Sequence, residues 1–128
     1  MACRFTELVI DCHDHDLLGR FWQEVLGYDV TERSDGPENY YVELTGPTGA
    51  GPRVLVLRTP DRKTSKNRLH IDVNATDRDQ DAEVERILAL GATRVDIGQG
   101  PDVSWVVLAD PEGNELCVLR SRVEPHGS

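Results

Sequence analysis

The chain opens with a change of hydrophobic period. Residues 5–12 alternate between polar and apolar side chains, which is typical of a strand with one buried face. From Asp14 onward, apolar side chains recur at helical spacing until Gly27. Aspartate is a common N-cap, and glycine commonly follows the last turn of a helix. The pattern therefore predicts a strand followed by a helix that covers one of its faces.

Three further strands are predicted before a polar linker. Residues 28–32, 40–45 and 53–59 are rich in β-branched, aromatic and leucine side chains, and connectors rich in glycine, proline and asparagine separate them. Residues 60–67 are polar and basic and show no periodicity, which is typical of a linker. The first half of the chain is thus a strand, a helix and three strands.

The second half repeats this order. Residues 69–74 alternate again, Asp77 and Gln80 resemble a capping box, and an apolar stripe at helical spacing leads to Gly91. Strands are predicted at residues 93–97, 104–109 and 115–119, the last two joined by the turn Asp110-Pro-Glu-Gly-Asn114.

Two copies of one unit predict an α+β fold of two tandem βαβββ units in a single domain. We expect the first unit at about residues 4–60, a linker at about 60–67, the second unit at about 68–120 and a frayed tail at 121–128. In each unit the helix covers one sheet face, so polar side chains on the other face point either to solvent or into a pocket.

Composition narrows the class of protein. The 128 residues are 38% apolar and 29% charged, which is ordinary for one soluble domain. No run approaches the roughly 20 apolar residues that a membrane-spanning helix needs, and the N-terminus lacks a signal-peptide pattern. We therefore expect a cytoplasmic protein with no membrane partner.

Charge and cysteine content exclude further classes. The 14 basic and 23 acidic residues give a net charge of -9, which would repel nucleic-acid phosphates. The same charge favours cationic small molecules or is simply a solvated acidic surface. The three cysteines form no C-x-x-C pair, so neither a disulfide framework nor a closed zinc cluster is indicated.

His70 is the central candidate for chemistry, and two roles fit it. It lies on the open face of the second unit together with Asp72, and strand parity puts Cys117 on that face too. A histidine beside carboxylates is a common general acid or base. A structural histidine that is hydrogen-bonded to Asp72 fits the pattern equally well. The corresponding strand of the first unit carries Glu7 and Asp11 on its open face.

Several motifs together resemble one known family. They are Phe21-Trp22-x-x-x-Leu26-Gly27, the stretch from Lys66 to Val73, Leu90-Gly-Ala92 and the stretch from Trp105 to Cys117. Over residues 5–120 the chain resembles the vicinal oxygen chelate superfamily, in particular the glyoxalase-like domains of the glyoxalase and bleomycin resistance group. The resemblance implies two βαβββ units whose sheets curl into a cup, and it implies a homodimer.

The resemblance also implies where a metal would bind. Metal-dependent members place four ligands at the floor of the cup, and three of these positions fall on Glu7, His70 and Cys117. The fourth position lies in residues 53–58, which contain no acidic residue. We therefore expect a metal-free site. If a divalent ion such as zinc, iron, nickel or manganese binds, its ligands are Glu7, His70 and Cys117.

We assign catalytic roles to His70, Glu7 and Asp72 in a lyase or isomerase reaction that is not that of a true glyoxalase I. The alternative is a non-catalytic protein that sequesters an antibiotic, as in bleomycin resistance. Cys117 is expected to be a small buried floor residue rather than a nucleophile, and Arg68 is either a ligand contact or a solvated linker residue. The residues assigned to ligand binding are Trp105, Tyr41, Asp11, Cys117 and Arg68.

Overall fold

The computed structural model describes residues 2–49 and 51–125. The chain divides into two compact units, the first ending at Asp61 and the second beginning at Arg62. Of the predicted tail, residues 126–128 lie outside the described part of the chain. Within the described part of that tail, the Val123 N–H donates to the Ala75 carbonyl oxygen at 3.0 Å.

The first unit consists of β1 (Glu7–Cys12), α1 (His15–Leu26), β2 (Asp29–Asp35), β3 (Tyr40–Thr45) and β4 (Arg53–Arg58). Its four strands form one sheet in the order β1-β4-β3-β2. The neighbouring strands β1 and β4 are parallel, and the other two neighbouring pairs are antiparallel.

Both ends of α1 are where the sequence predicts them. The Asp14 side chain accepts a hydrogen bond from the Leu17 N–H at 3.0 Å, which satisfies one of the free N–H groups of the first turn. Gly27 follows the last turn with φ 66°, a left-handed conformation that side chains disfavour, and its N–H donates to the Gln23 carbonyl oxygen.

The core of the first unit lies between α1 and one face of the sheet. Alternate residues of β3 and β4 are buried, and α1 packs against both strands. The core contains Leu18, Phe21, Trp22, Val42, Leu44, Val54 and Val56. Cys12 is buried at the end of β1. The other face, which carries Glu7, Asp11 and Tyr41, is the open face.

The second unit repeats the plan with shorter strands. It consists of β5 (Ile71–Val73), α2 (Gln80–Ala89), β6 (Thr93–Arg94), β7 (Val106–Ala109) and β8 (Glu115–Val118). The sheet order is β5-β8-β7-β6. Here β5 and β8 are parallel, and the other neighbouring pairs are antiparallel. The predicted α+β architecture of two βαβββ units is confirmed.

Some predicted boundaries were wrong. The N-cap of α2 is Asp79, whose side chain accepts from the Ala82 N–H at 2.8 Å, and Asp77 instead binds the neighbouring Arg78. Leu69 is 82% exposed and lies before β5 rather than within it. Trp105 likewise precedes β7. Both strands are shorter than the alternating pattern because their first predicted residues make no ladder pairing.

The turn between β7 and β8 is built around Asp110, which is 2% exposed. One carboxylate oxygen accepts from the N–H groups of Glu112 and Asn114, each at 2.9 Å, and the other accepts from the Asn114 side-chain amide at 2.9 Å. These bonds satisfy a buried charge and fix the entry into β8. Neither of the two described helices is long and apolar enough to cross a membrane.

Candidate functional site

The candidate site lies on the open face of the second unit, where β5 and β8 run in parallel. Their register places Asp72 beside Cys117, and His70 comes just before β5. Side chains at paired positions of adjacent strands point to the same face. One ligand atom from each of His70, Asp72 and Cys117 lies within 4.8 Å of the others, so the three residues form one cluster.

His70 and Asp72 form a close pair that is open to solvent. The distance from His70 Nδ1 to Asp72 Oδ1 is 2.9 Å, and the two side chains are 39% and 46% exposed. Because Nδ1 is the ring nitrogen that faces the carboxylate, which can only accept, we assign the proton of the neutral ring to Nδ1. The lone pair of Nε2 then points away from Asp72 and is available to a ligand.

Cys117 forms the buried base of the cluster and is 3% exposed. Burial, the negative charge of Asp72 and a hydrogen bond to that carboxylate raise the pKa of the Cys117 thiol, against a smaller opposing effect of Lys66. A thiol that keeps its proton is a poor nucleophile. Its environment therefore matches a small floor residue.

The donor set also fits a metal by type and spacing. Imidazole, carboxylate and thiolate all bind zinc, and the first two bind manganese or iron, so Cys117 would have to lose its proton to become a ligand. Three such donors within 4.8 Å leave room for water or a substrate at the remaining positions of an ion. Asp72 supplies a carboxylate that the predicted set of Glu7, His70 and Cys117 did not include.

The segment before His70 is tied to β8 by Glu115. This side chain is 5% exposed, and its Oε1 lies 3.1 Å from Lys63 Nζ. Glu115 also accepts from the Asn67 N–H at 3.3 Å, and the Asn67 amide donates to Asn114 at 3.1 Å. Burial alone would raise the pKa of Glu115, but its hydrogen bonds and Lys63 together lower it. The carboxylate therefore stays charged and anchors the chain close to His70.

Glu7 has a different environment from His70, although one begins the first strand of its unit and the other directly precedes the first strand of its own. In the first unit Glu7 lies opposite Arg53, with 3.7 Å from the guanidinium Nε to Glu7 Oε1. Arg53 also lies 3.8 Å from Glu43 Oε2. The Arg53 guanidinium thus already supplies positive charge to both carboxylates. The role of Glu7 as a catalytic residue or metal ligand stays a prediction.

The residues assigned to ligand binding have varied surroundings. The Tyr41 hydroxyl donates to Glu32, which raises the pKa of Tyr41. Trp105 is 40% exposed. Asp11 and Arg68 are exposed, and their side chains make no hydrogen bond or ion pair with other described residues. Their roles stay predictions too.

Sequence reasoning missed the anchor formed by Glu115 and Lys63. Strand parity puts Glu115 on the same face as Cys117, but nothing in the spacing connects it with a lysine in the linker. An acidic residue at a buried strand position was the available indication, because such a charge needs a partner.

A model of the glyoxalase-like domain family matches residues 7–119. Among solved structures, a mutant of the fosfomycin resistance protein FosX from Listeria monocytogenes, complexed with Mn(II) and 1S,2S-dihydroxypropylphosphonic acid, has a TM-score of 0.74 at 15% identity and covers 96% of each chain. FosX from Mesorhizobium loti has a TM-score of 0.72 at 14% identity, covering 96% of this chain and 95% of that one.

Glyoxalase I from Leishmania major has a TM-score of 0.66 at 18% identity, covering 93% of this chain and 87% of that one. Comparison with curated proteins gives no significant match. At these identities the structural neighbours show the fold alone, whereas the family model spans nearly the whole described chain. The chain therefore belongs to the glyoxalase-like domain family, within the vicinal oxygen chelate superfamily.

Proposed function

We propose that the protein binds a small molecule on the open face of the second unit and catalyses a lyase or isomerase reaction by proton transfer. The observation that carries this proposal is the close contact between His70 and Asp72, with 2.9 Å from Nδ1 to Oδ1. Asp72 fixes the ring and stabilises the imidazolium that forms when Nε2 takes a proton. His70 is the general base, Asp72 is its positioning residue, and the substrate carries an acidic C–H or O–H group.

The proposed chemistry does not depend on a metal. Asp72 is engaged by both His70 and Cys117, and the thiol keeps its proton. A divalent ion held by these three residues would polarise a carbonyl or activate water. Stoichiometric zinc, iron, nickel or manganese in protein purified without a histidine tag, measured by plasma mass spectrometry, would overturn the metal-free form of the proposal.

The second candidate function is antibiotic sequestration without turnover, and the exposure of Trp105 favours it. A 40% exposed indole offers a flat surface to a planar or cationic ligand, and the net charge of -9 attracts cations. Fluorescence quenching by cationic glycopeptide antibiotics tests this function directly. Tight binding without product selects it over the enzyme.

We further propose that the protein is a cytoplasmic homodimer. The exposed free thiol of Cys3 suits a reducing compartment. Dimer formation follows the resemblance to vicinal oxygen chelate proteins, in which a site is often shared between two chains. The ligand of this dimer is a small molecule rather than nucleic acid, because the acidic surface repels phosphates.

Proton abstraction is tested by following solvent deuterium exchange into α-hydroxycarbonyl compounds, glutathione adducts and hydroxyacyl thioesters by NMR. We expect His70→Gln to slow exchange or turnover by about 100-fold or more, the usual contribution of a general base. Asp72→Asn should slow it less, because the ring remains but loses its charged partner. Both side chains are partly exposed, so the melting temperature should change little.

Asp77→Asn is the matched control, because it removes a carboxylate from the same unit outside the cluster. Exchange that is unchanged in His70→Gln would contradict the proposed role of the histidine. An equal loss of exchange in Asp77→Asn and Asp72→Asn would show that the effect comes from removing a negative charge in general rather than from breaking the pair of His70 and Asp72.

A further inference from the structure

A separate cavity of about 420 Å³ lies in the first unit and plays no part in the proposed reaction. It is lined by His13, Tyr40, Arg58, Thr59 and Pro60. By strand alternation, Arg58 shares the face of β4 that carries the buried valines, and Tyr40 shares the corresponding face of β3. The cavity therefore opens on the helix-covered side of this sheet, opposite the face of Glu7. Its volume suits a small organic ligand.

One wall of the cavity is a firmly held aromatic ring. The rings of His15 and Tyr40 pack edge to face, with centroids 5.7 Å apart. His15 is in turn fixed by Asp35, at 2.8 Å from Nε2 to Oδ1. A side chain at Gly36 would come within 2.8 Å of the Tyr40 ring and hydroxyl, so the backbone there packs directly against the tyrosine. This wall is formed before any ligand arrives.

Arg58 provides the positive charge of the cavity. Its guanidinium carbon lies 4.6 Å from the Tyr40 ring centroid. Arg33, Arg78 and Arg86 all pair with carboxylates, but Arg58 forms no ion pair with any residue in the described ranges 2–49 and 51–125. A guanidinium stacked on a ring keeps its N–H groups in the plane, where they can bind a carboxylate at two points.

Thr59 provides the second polar group. Its N–H donates to the Cys12 carbonyl oxygen at 2.8 Å. Its Oγ1, by contrast, is buried and has no hydrogen-bond partner among the described residues. A buried hydroxyl without a partner is unfavourable, so an acceptor that it reaches by rotation about χ1 is stabilising. His13 Nε2 donates to the Asp61 carbonyl oxygen at 2.5 Å, which holds the imidazole as part of the wall.

We propose that this cavity binds a small planar carboxylate. The carboxylate accepts two hydrogen bonds from Arg58 and one from the Thr59 hydroxyl, and the planar body lies against Tyr40, His13 and Pro60. A carboxylate fits better than a phosphate dianion, because one guanidinium balances one negative charge and its fork matches a flat acceptor. The proposed site belongs to the first unit and is independent of His70.

Benzoate is the probe, and binding to the full chain is measured by calorimetry and by NMR amide shifts. We expect binding at concentrations of about 1–10 mM, with the largest shifts at Tyr40, Arg58 and Thr59. Arg58→Gln should weaken binding about tenfold or more, and Thr59→Val should weaken it by a smaller factor. Arg58→Lys should fall between wild type and Arg58→Gln, because it keeps the charge but loses the fork.

Arg4→Gln is the matched control, since Arg4 is an exposed arginine of the same unit. Benzamide, a neutral molecule of the same shape, should bind much more weakly than benzoate, and inorganic phosphate should compete poorly. Circular dichroism confirms that each variant is folded. No benzoate binding, equal binding of benzamide, or unchanged affinity in folded Arg58→Gln would overturn the proposal, and preferred binding of phosphate would reassign the ligand class and overturn it too.

Discussion

Asp72 serves two neighbours in the second unit. Its Oδ1 lies 2.9 Å from His70 Nδ1, and it accepts a hydrogen bond from the Cys117 thiol. The two contacts have opposite consequences for reactivity. The imidazole is oriented and presents a basic nitrogen, while the thiol is stabilised in its protonated, unreactive form. One carboxylate thus separates the roles of two side chains that could each act as a nucleophile or base.

This environment predicts thiol reactivity. Cys3 is exposed, whereas Cys12 and Cys117 are each 3% exposed, and the pKa of Cys117 is raised. At about pH 8, a disulfide reagent such as Ellman's reagent should label one thiol per native chain rapidly and all three only after unfolding. Cys3→Ser should abolish the rapid phase. A rapid phase that survives in Cys3→Ser would contradict the buried, protonated state of Cys117.

Each helix begins at an aspartate that binds an N–H of its first turn. Asp14 caps α1 and Asp79 caps α2. Asp77, two residues before the cap of α2, pairs with its half-buried neighbour Arg78, which lowers the pKa of Asp77. The two aspartates near α2 therefore differ in what they contribute to folding.

Asp79→Ala should lower the free energy of unfolding by about 1 kcal/mol, because an N–H of the first turn loses its acceptor. Asp77→Ala should change it by less than about 0.5 kcal/mol, since exposed ion pairs contribute little. Urea denaturation at neutral pH measures both. A larger loss of unfolding free energy in Asp77→Ala than in Asp79→Ala would show that Asp77 is the cap instead.

The contacts of Glu115 that join β8 to the segment before β5 are sensitive to acid. Because the folded-state pKa of Glu115 is lowered, its stabilising contribution is present above the ordinary glutamate pKa and is lost as the pH falls through the folded value. Glu115→Gln should therefore destabilise the protein at neutral pH, and its difference from wild type should shrink between about pH 6 and pH 3.

Urea denaturation across this pH range measures the effect. Glu124→Gln, which removes an exposed carboxylate, serves as the control. A difference between wild type and Glu115→Gln that does not vary with pH would show that Glu115 stabilises β8 by packing rather than by charge.

Periodicity predicted the elements well where they are long and amphipathic. The bounds of β3 and both ends of α1 match the sequence prediction, because each has a clear apolar face and a turn-forming end. It failed at short elements. Two aspartates within three residues both fit the cap of α2, and β6 has only two residues, which is too short to show a period.

The candidate site was predictable as far as strand parity reaches. Parity placed His70, Asp72 and Cys117 on one face, and the parallel register brings the last two together. The anchor from Glu115 to Lys63 and the cavity beside Arg58 were not predictable. Each forms where segments distant along the chain meet, and single-sequence patterns carry no information about such contacts.

At the scale of the whole molecule, both units use the same sheet order, and the proposed dimer can be tested directly. Each unit pairs its first and last strands in parallel. Light scattering should give a mass of about twice the 14.3 kDa of one chain. A mass near that of a single chain at micromolar concentration would contradict the dimer.

In the parallel pair of the first unit the acidic residue lies at the first strand, whereas in the second unit it lies at the last strand. This difference affects how the halves avoid mispairing as they fold. Glu7 lies opposite Arg53, and extending the register of β5 and β8 by one residue places His70 beside Glu115. Exchanging the last strands between the halves would set Glu7 against Glu115 and His70 against Arg53. Like charges directly opposite each other destabilise a sheet, so Glu7 and Glu115 would repel each other at the first rung of the wrong ladder.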